Sequence, residues 1–219
     1  MEESASLVAI VDDDELIRDA LLDLVESEKL PALCFSSAEE FLDSTAGREA
    51  SCLIADIRMP GISGLELQAT LKSERCPVSI IFITGLGDIP MAVHAMREGA
   101  IDFLTKPVDD AALLKSVERA FQRYGEKKQE AIEQERFDAR YRTLTPRERE
   151  VLSLLVRGLL NKQAGFELGI TEYTVQIHRA HIMRKMEADS FATLVRLAAK
   201  FTLEPSGPLN IGNEEHRGD

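Results

Sequence analysis

The chain predicts a doubly wound α/β domain followed by a small all-α domain, and three observations carry that expectation. Over residues 1–124, short apolar runs alternate with segments of helical period, the order of a parallel sheet flanked by helices. Two of those runs, 51–55 and 78–83, are nearly continuous in apolar residues, as strands are when helices cover both faces. Beyond residue 143 the strand-like runs stop and helix punctuation takes over.

In chain order, strands are expected at 7–11, 32–35, 51–55, 78–83 and 102–105, with helices near 15–28, 38–45, 64–73, 89–98 and 109–124. Five strands with short connections fit the flavodoxin-like order 2-1-3-4-5. From Asp109 to about Arg140, little stops a helix except Gly125. Lys127 to Arg142 is mostly charged, with Ala131, Ile132 and Phe137 as its apolar anchors. A solvated connecting helix fits that pattern; a coiled-coil dimer seam is the alternative, its heptad interrupted by charges.

Four short helices follow. Thr145-Pro146-Arg147-Glu148 combines an N-cap, a proline at the first helical position and a capping-box glutamate. Gly158 and Asn161 end that helix and open the next, Gly169 closes the second, Thr171 caps the third, and Asp189 or Ser190 caps the fourth. The resulting division is 1–122 for the α/β domain, 123–142 for a helical linker, 143–203 for the all-α domain and 204–219 for a tail rich in Pro and Gly, expected to be disordered.

A length of 219 residues suits two domains, and 44% apolar residues suffice for cores. No apolar run is long enough for a membrane span, and Met-Glu-Glu-Ser is the reverse of a basic signal peptide, so a cytoplasmic location is expected. Cys34, Cys52 and Cys76 are odd in number and lack metal-ligand spacing, which suits reduced, buried thiols. The net charge of −12 is unevenly spread: residues 1–124 hold 23 acidic and 11 basic side chains, residues 143–203 six and nine. The acidic half would repel nucleic acid, so any contact with DNA belongs to residues 143–203.

The chemistry lies at the strand ends. LVAIV runs into Asp12-Asp13-Asp14, CLIA into Asp56, SIIFI into Thr84 and Asp102-Phe103-Leu104-Thr105 into Lys106-Pro107. The carboxyl ends of parallel strands share one edge, where ligands bind, so these acids, the hydroxyl and the amine converge there. Carboxylates crowded together repel one another unless a cation sits between them, and Mg²⁺ favours such oxygen ligands together with a phosphate. Asp56 would then be a nucleophile toward phosphorus, Thr84 a donor to a phosphoryl oxygen, and Lys106 its counter-charge. Gly85 leaves the approach open. Asp-Asp-Asp alone is an ordinary solvated turn and Lys-Pro alone says little; four successive strand ends together are specific.

Ile10-Val11-Asp12-Asp13-Asp14, Asp56-Ile57-Arg58-Met59-Pro60-Gly61, Ile83-Thr84-Gly85 and Phe103-Leu104-Thr105-Lys106-Pro107 resemble the receiver domain of two-component response regulators, over about the first 122 residues. The resemblance implies that Asp56 is the phosphoacceptor for a sensor histidine kinase and that Asp12, Asp13, Asp56 and the Arg58 carbonyl hold Mg²⁺. It also makes Thr84 and Phe103 a switch pair, puts Lys106 on the phosphoryl group, and implies a cis bond before Pro107.

On the third helix of the second domain, steps of about 100° per residue put Val175, His178, Ile182 and Met186 on one stripe, the core side. Tyr173, Gln176, Ile177, Ala180, His181 and Arg184 fall opposite. An outward Ile177 beside Tyr173 and Arg184 suits a major groove, where apolar groups meet thymine methyls and Gln pairs with adenine. Arg179, Lys185 and Lys162 would hold phosphates. With Leu144-Thr145-Pro146-Arg147-Glu148, Gly158, Asn161-Lys162, Leu168-Gly169-Ile170 and Thr174-Val175-Gln176-Ile177-His178-Arg179, this half resembles the LuxR-type helix-turn-helix. The whole is similar to the NarL/FixJ family, and Gly87-Asp88-Ile89-Pro90-Met91 leans to its FixJ side.

That resemblance implies a regulator and not an enzyme, which binds promoter DNA as a dimer through Lys162, Thr174, Gln176, Ile177, Arg179, Ala180, Arg184 and Lys185 and pairs subunits through Leu194, Leu197 and Phe201. Two departures stand out: the family often carries a base at Gln176 or Ala180, and it favours Ile-Ala where this chain has Ala164-Gly165, which should loosen the second helix by about 0.5–1 kcal/mol. The rival readings are an aspartyl-phosphate phosphatase using Asp56, and a receiver whose second half binds protein or RNA.

Overall fold

The computed structural model describes residues 6–85 and 89–202 and divides into two compact units, residues 1–129 and 130–219. Leu86, Gly87 and Asp88 and the tail from residue 203 lie outside the described residues, and with them the Gly87-Asp88 motif. In the first unit, β1 (Val8–Val11), β2 (Ala32–Phe35), β3 (Cys52–Asp56), β4 (Ser79–Thr84) and β5 (Asp102–Thr105) form one parallel sheet in the order β2-β1-β3-β4-β5. Around it run α1 (Glu15–Ser27), α2 (Ala38–Asp43), α3 (Thr45–Arg48), α4 (Gly64–Ser73), α5 (Ile89–Arg97) and α6 (Asp110–Arg142).

Successive strand residues point to opposite faces, and here both faces are dry. Ala9 and Val11 join Leu53, Ala55 and Phe82 in one cluster, while Val8 and Ile10 join Ile54, Ile81 and Ile83 in the other. That two-sided burial is why β3 and β4 read as unbroken apolar runs.

The second unit stacks α7 (Pro146–Val156), α8 (Asn161–Leu168), α9 (Glu172–Lys185) and α10 (Phe191–Thr202) around Val151, Leu155, Val175, Ile182 and Leu194. The punctuation acts as the side chains dictate. Thr145 and Glu148 close a reciprocal capping box, Gly169 ends α8 at φ +64, the Thr171 hydroxyl accepts from the Thr174 amide, and the Ser190 hydroxyl accepts from the Thr193 amide.

Two local features differ from expectation. The helix expected at 38–45 breaks at Ser44, whose extended backbone and hydroxyl cap a separate turn, α3. Helix α6 runs unbroken through Gly125 to Arg142, and its last turns join the second core: Phe137 is 4% exposed, stacked on Tyr141 and 5.3 Å from the Phe201 ring. Within the segment read as a solvated linker, Phe137 and Tyr141 thus belong with the second core.

Candidate functional site

The parallel register puts the ends of β1, β3, β4 and β5 at one edge, and with them Asp12, Asp56, Thr84 and Lys106. Asp12 is wholly buried and Asp56 is 7% exposed. Asp12, Asp13 and Asp56 each offer one carboxylate oxygen, and those oxygens lie within 4.8 Å of one another. The Lys106 ammonium bridges two of them, 2.7 Å from Asp12 Oδ2 and 2.6 Å from Asp56 Oδ2. The remaining oxygens are steered by backbone: the Asp14 amide donates to Asp12 Oδ1 and the Arg58 amide to Asp56 Oδ1. Hard carboxylate oxygens converging beside a backbone turn fit Mg²⁺.

The electrostatics are those of a crowded, dry site. Burial pushes the Asp12 carboxyl above the ordinary carboxylate value despite its bond to Lys106. Burial alone would depress Lys106, but its hydrogen bonds to Asp12 and Asp56 and their charges carry it above an ordinary lysine. The amine thus occupies the position of a counter-ion. The Lys106–Pro107 bond is cis, and the Lys106 amide donates to the Thr84 carbonyl at 2.7 Å, tying β5 to β4 beside the acids.

Thr84 is buried at the end of β4, and Phe103 is half-buried against the core beneath it. Asp102 holds that strand: its Oδ1 accepts from the Phe103 amide, and its Oδ2 accepts from the Ser116 hydroxyl at 2.6 Å and pairs with Arg119. A Cβ on Gly85 would meet nothing within 4 Å, so this glycine is not required by the fold. Gly64 is required: a Cβ there would come 2.4 Å from the Asp56 carbonyl.

In the second unit, α9 buries Val175, Ile182 and Met186, with His178 half-buried. Tyr173, Gln176, Ile177 (40% exposed), Ala180, His181 and Arg184 face outward, as does Lys162 on α8. The Thr174 hydroxyl lies 2.9 Å from that of Thr171, within the helix cap. Two of the bases have partners inside the domain. Lys185 pairs with buried Glu148 at 2.6 Å, and Arg179 stacks 3.7 Å above the Phe191 ring. Leu194 (1% exposed) lies in the domain core, with Leu197 and Phe201 packed against it, so the stripe assigned to subunit pairing is occupied within the domain by α6 and α7.

Sequence reasoning missed Arg18, whose guanidinium donates to the Asp12 carbonyl at 2.7 Å, along with Arg119, Arg140 and the pairing of the cap residue Glu148 with Lys185. Only Arg18 left a local signal, one helical turn past Asp14; the others reach partners 17 to 47 residues away. The cysteines are free thiols, and burial pushes those of Cys34 and Cys52 up. Among the described residues, no helix is long and apolar enough to cross a membrane.

Residues 8–118 match the family model of the response regulator receiver domain, and residues 142–198 that of bacterial regulatory proteins of the luxR family. The response regulator protein TodT of Pseudomonas putida is 43% identical over 200 residues, 91% of this chain and 88% of that protein. The transcriptional regulatory protein FixJ of Azorhizobium caulinodans is 41% identical over 199 residues, 91% and 94% of the two chains. Among solved structures, the response regulator StyR superposes with a TM-score of 0.69 at 42% identity, covering 89% of this chain and 98% of that one.

Proposed function

The chain belongs to the two-component response regulators with a LuxR-type DNA-binding output, and on that premise we propose that Asp56 accepts a phosphoryl group from a sensor histidine kinase and so governs promoter binding. The observation that carries the reading is the single Lys106 ammonium spanning Asp12 and Asp56 beside Asp13 at the sheet's carboxyl edge.

Asp12, Asp13, Asp56 and the Arg58 carbonyl would hold Mg²⁺, which when bound supplies positive charge against the phosphoryl oxygens. Asp56 Oδ1 is fixed by the Arg58 amide, which leaves Oδ2 as the attacking oxygen. It forms an O–P bond as the P–N bond to the kinase histidine breaks, and the electron pair departs with the imidazole nitrogen. Lys106 then moves from Oδ2 to a phosphoryl oxygen. The Thr84 hydroxyl donates to another, and Phe103, anchored at its backbone by Asp102, takes up the space that Thr84 leaves.

The output reading rests on α9. Its outward Gln176, Ile177, Ala180 and Arg184 would read base edges, with Lys162 and Thr174 on phosphates. Arg179 and Lys185 reach DNA by sharing or releasing Phe191 and Glu148. With Leu194 in the core, Leu197 and Phe201 are the residues of the pairing stripe that keep some surface for a second copy. The protein acts in the cytoplasm as a regulator, not as an enzyme.

The test is intact-protein mass after incubation with a small phosphodonor and Mg²⁺, wild type beside Asp56→Asn. One phosphoryl adduct, dependent on Mg²⁺ and lost in the variant, is expected together with tighter promoter binding by the phosphorylated wild type. An adduct that persists in Asp56→Asn would overturn the assignment.

A further inference from the structure

The C-terminal turn of α9 is closed by a residue other than glycine, as are those of α1 at Lys29 (φ +61) and α4 at Arg75 (φ +57). The Glu187 amide donates to the Arg184 carbonyl at 3.2 Å and the Ala188 amide to the Met183 carbonyl at 3.1 Å. This pattern puts the residue after the cap in the left-handed region, where glycine is preferred. Here it is Glu187, at φ +49. A residue with a Cβ is less at ease in that conformation than glycine.

At α9 a side chain from α6 holds the turn. Arg140 donates from one guanidinium nitrogen to the Met186 carbonyl at 3.3 Å and pairs through the other with the Glu187 carboxylate. It thus satisfies a carbonyl that the helix end leaves unpaired and adds a cation where the helix dipole favours one. Its own backbone is fixed, because Phe137 on the same face one turn earlier is buried in the core. Beside this contact a half-open groove of about 200 Å³ is lined by Glu133, Arg136, Phe137, Met186, Leu194 and Leu197. Of the other basic groups of this turn, Lys185 pairs with Glu148 and Arg184 points outward.

We propose that Arg140 is a positioning residue for DNA recognition: by clamping Met186 and Glu187 it sets the last turn of α9 and with it the direction of Arg184. The proposal rests on the reading of α9 as the recognition helix. Its action differs from that of a phosphate-contacting base, because Arg140 works through protein groups and leaves the salt dependence of binding alone.

The test compares the full-length wild type, Arg140→Ala, Glu187→Gly and the double variant, each phosphorylated, on a promoter duplex selected by the wild type. Arg140→Ala should lose about tenfold in affinity, the worth of a charged hydrogen bond, with an unchanged slope against salt. Glu187→Gly adopts the left-handed conformation without help, so the double variant should recover most of the loss. Hydrogen exchange reads the same clamp without DNA: the amides of Glu187 and Ala188 should exchange faster in Arg140→Ala and return toward wild type in the double variant. Wild-type affinity and exchange in Arg140→Ala would overturn the proposal, and so would a shallower salt slope with no rescue by Glu187→Gly. If the wild type selects no duplex, the recognition-helix reading fails, and the exchange result still decides the clamp.

Discussion

Gly64 shows how much of the geometry at Asp56, the proposed phosphoacceptor, depends on one absent methyl group. Helix α4 starts hard against the end of β3, and the Asp56 carbonyl lies where a Cβ would be. Gly64→Ala should cost about 1–3 kcal/mol, the usual effect of overpacking a filled site, and should slow phosphorylation because Asp56 moves with its carbonyl. Stability from denaturant titration and phosphorylation rate together check this, and a variant of wild-type stability and rate would count against it.

Glu148 makes a residue-scale prediction in pH. Burial opposes its charge, but the bond from Lys185 and those within the capping box win, so its carboxyl titrates below the ordinary 4.5. The folded chain therefore binds this proton less readily than the unfolded chain. The stability it contributes is fully present above pH 4.5 and is lost as the pH falls through the folded value. Glu148→Gln should flatten that acid limb for the second unit in melts between pH 6 and 3; an undiminished limb would assign it elsewhere. The capping box was legible from Thr145 and Glu148 three residues apart. The partnership with Lys185 was not, since nothing local links positions separated by 37 residues.

At the scale of elements, α8 reverses a propensity argument. Gly165 in a helix costs about 0.5–1 kcal/mol against alanine, which on sequence grounds loosens α8. In the fold its missing Cβ admits the Ile170 carbonyl at 2.8 Å and the Thr171–Glu172 backbone at 3.4 Å, bringing α8 against the turn into α9. The contact is with backbone, which cannot swing away as a flexible side chain would. Gly165→Ala should therefore destabilise the second unit by about 1 kcal/mol or more and weaken DNA binding. A stabilised variant would mean that helix propensity wins. Gly125 is the contrasting case, with open space around its Cβ position inside α6, so Gly125→Ala should stabilise by about 0.5–1 kcal/mol. Helices and strands were legible because their apolar periods are local. The break at Ser44 and the passage of α6 into the second core were not, because a short capped turn and a distant aromatic partner decide them.

For the whole molecule, the separation of a strongly acidic unit from a nearly neutral one has a thermodynamic counterpart. The cores on either side of the sheet belong to residues 1–129, and the core around Val151, Val175 and Ile182 belongs to residues 130–219. Stabilising agents should therefore act on one unit at a time. Phe137→Ala removes a buried ring and should cost about 3–5 kcal/mol, a large share of the roughly 5–15 kcal/mol that holds a domain. That loss should appear in the second unit even though Phe137 belongs to a helix that starts in the first. Mg²⁺ should act on the other unit, where burial makes charge on Asp12 costly and one Lys106 ammonium is shared between Asp12 and Asp56. At a hundredfold excess over its dissociation constant, a ligand specific for the folded state adds about 2.7 kcal/mol. Calorimetry should thus resolve two transitions, one raised by Mg²⁺ in the wild type and not in Asp13→Asn, the other lowered by Phe137→Ala and indifferent to the metal. A single transition that responds to both would mean that the two cores unfold as one.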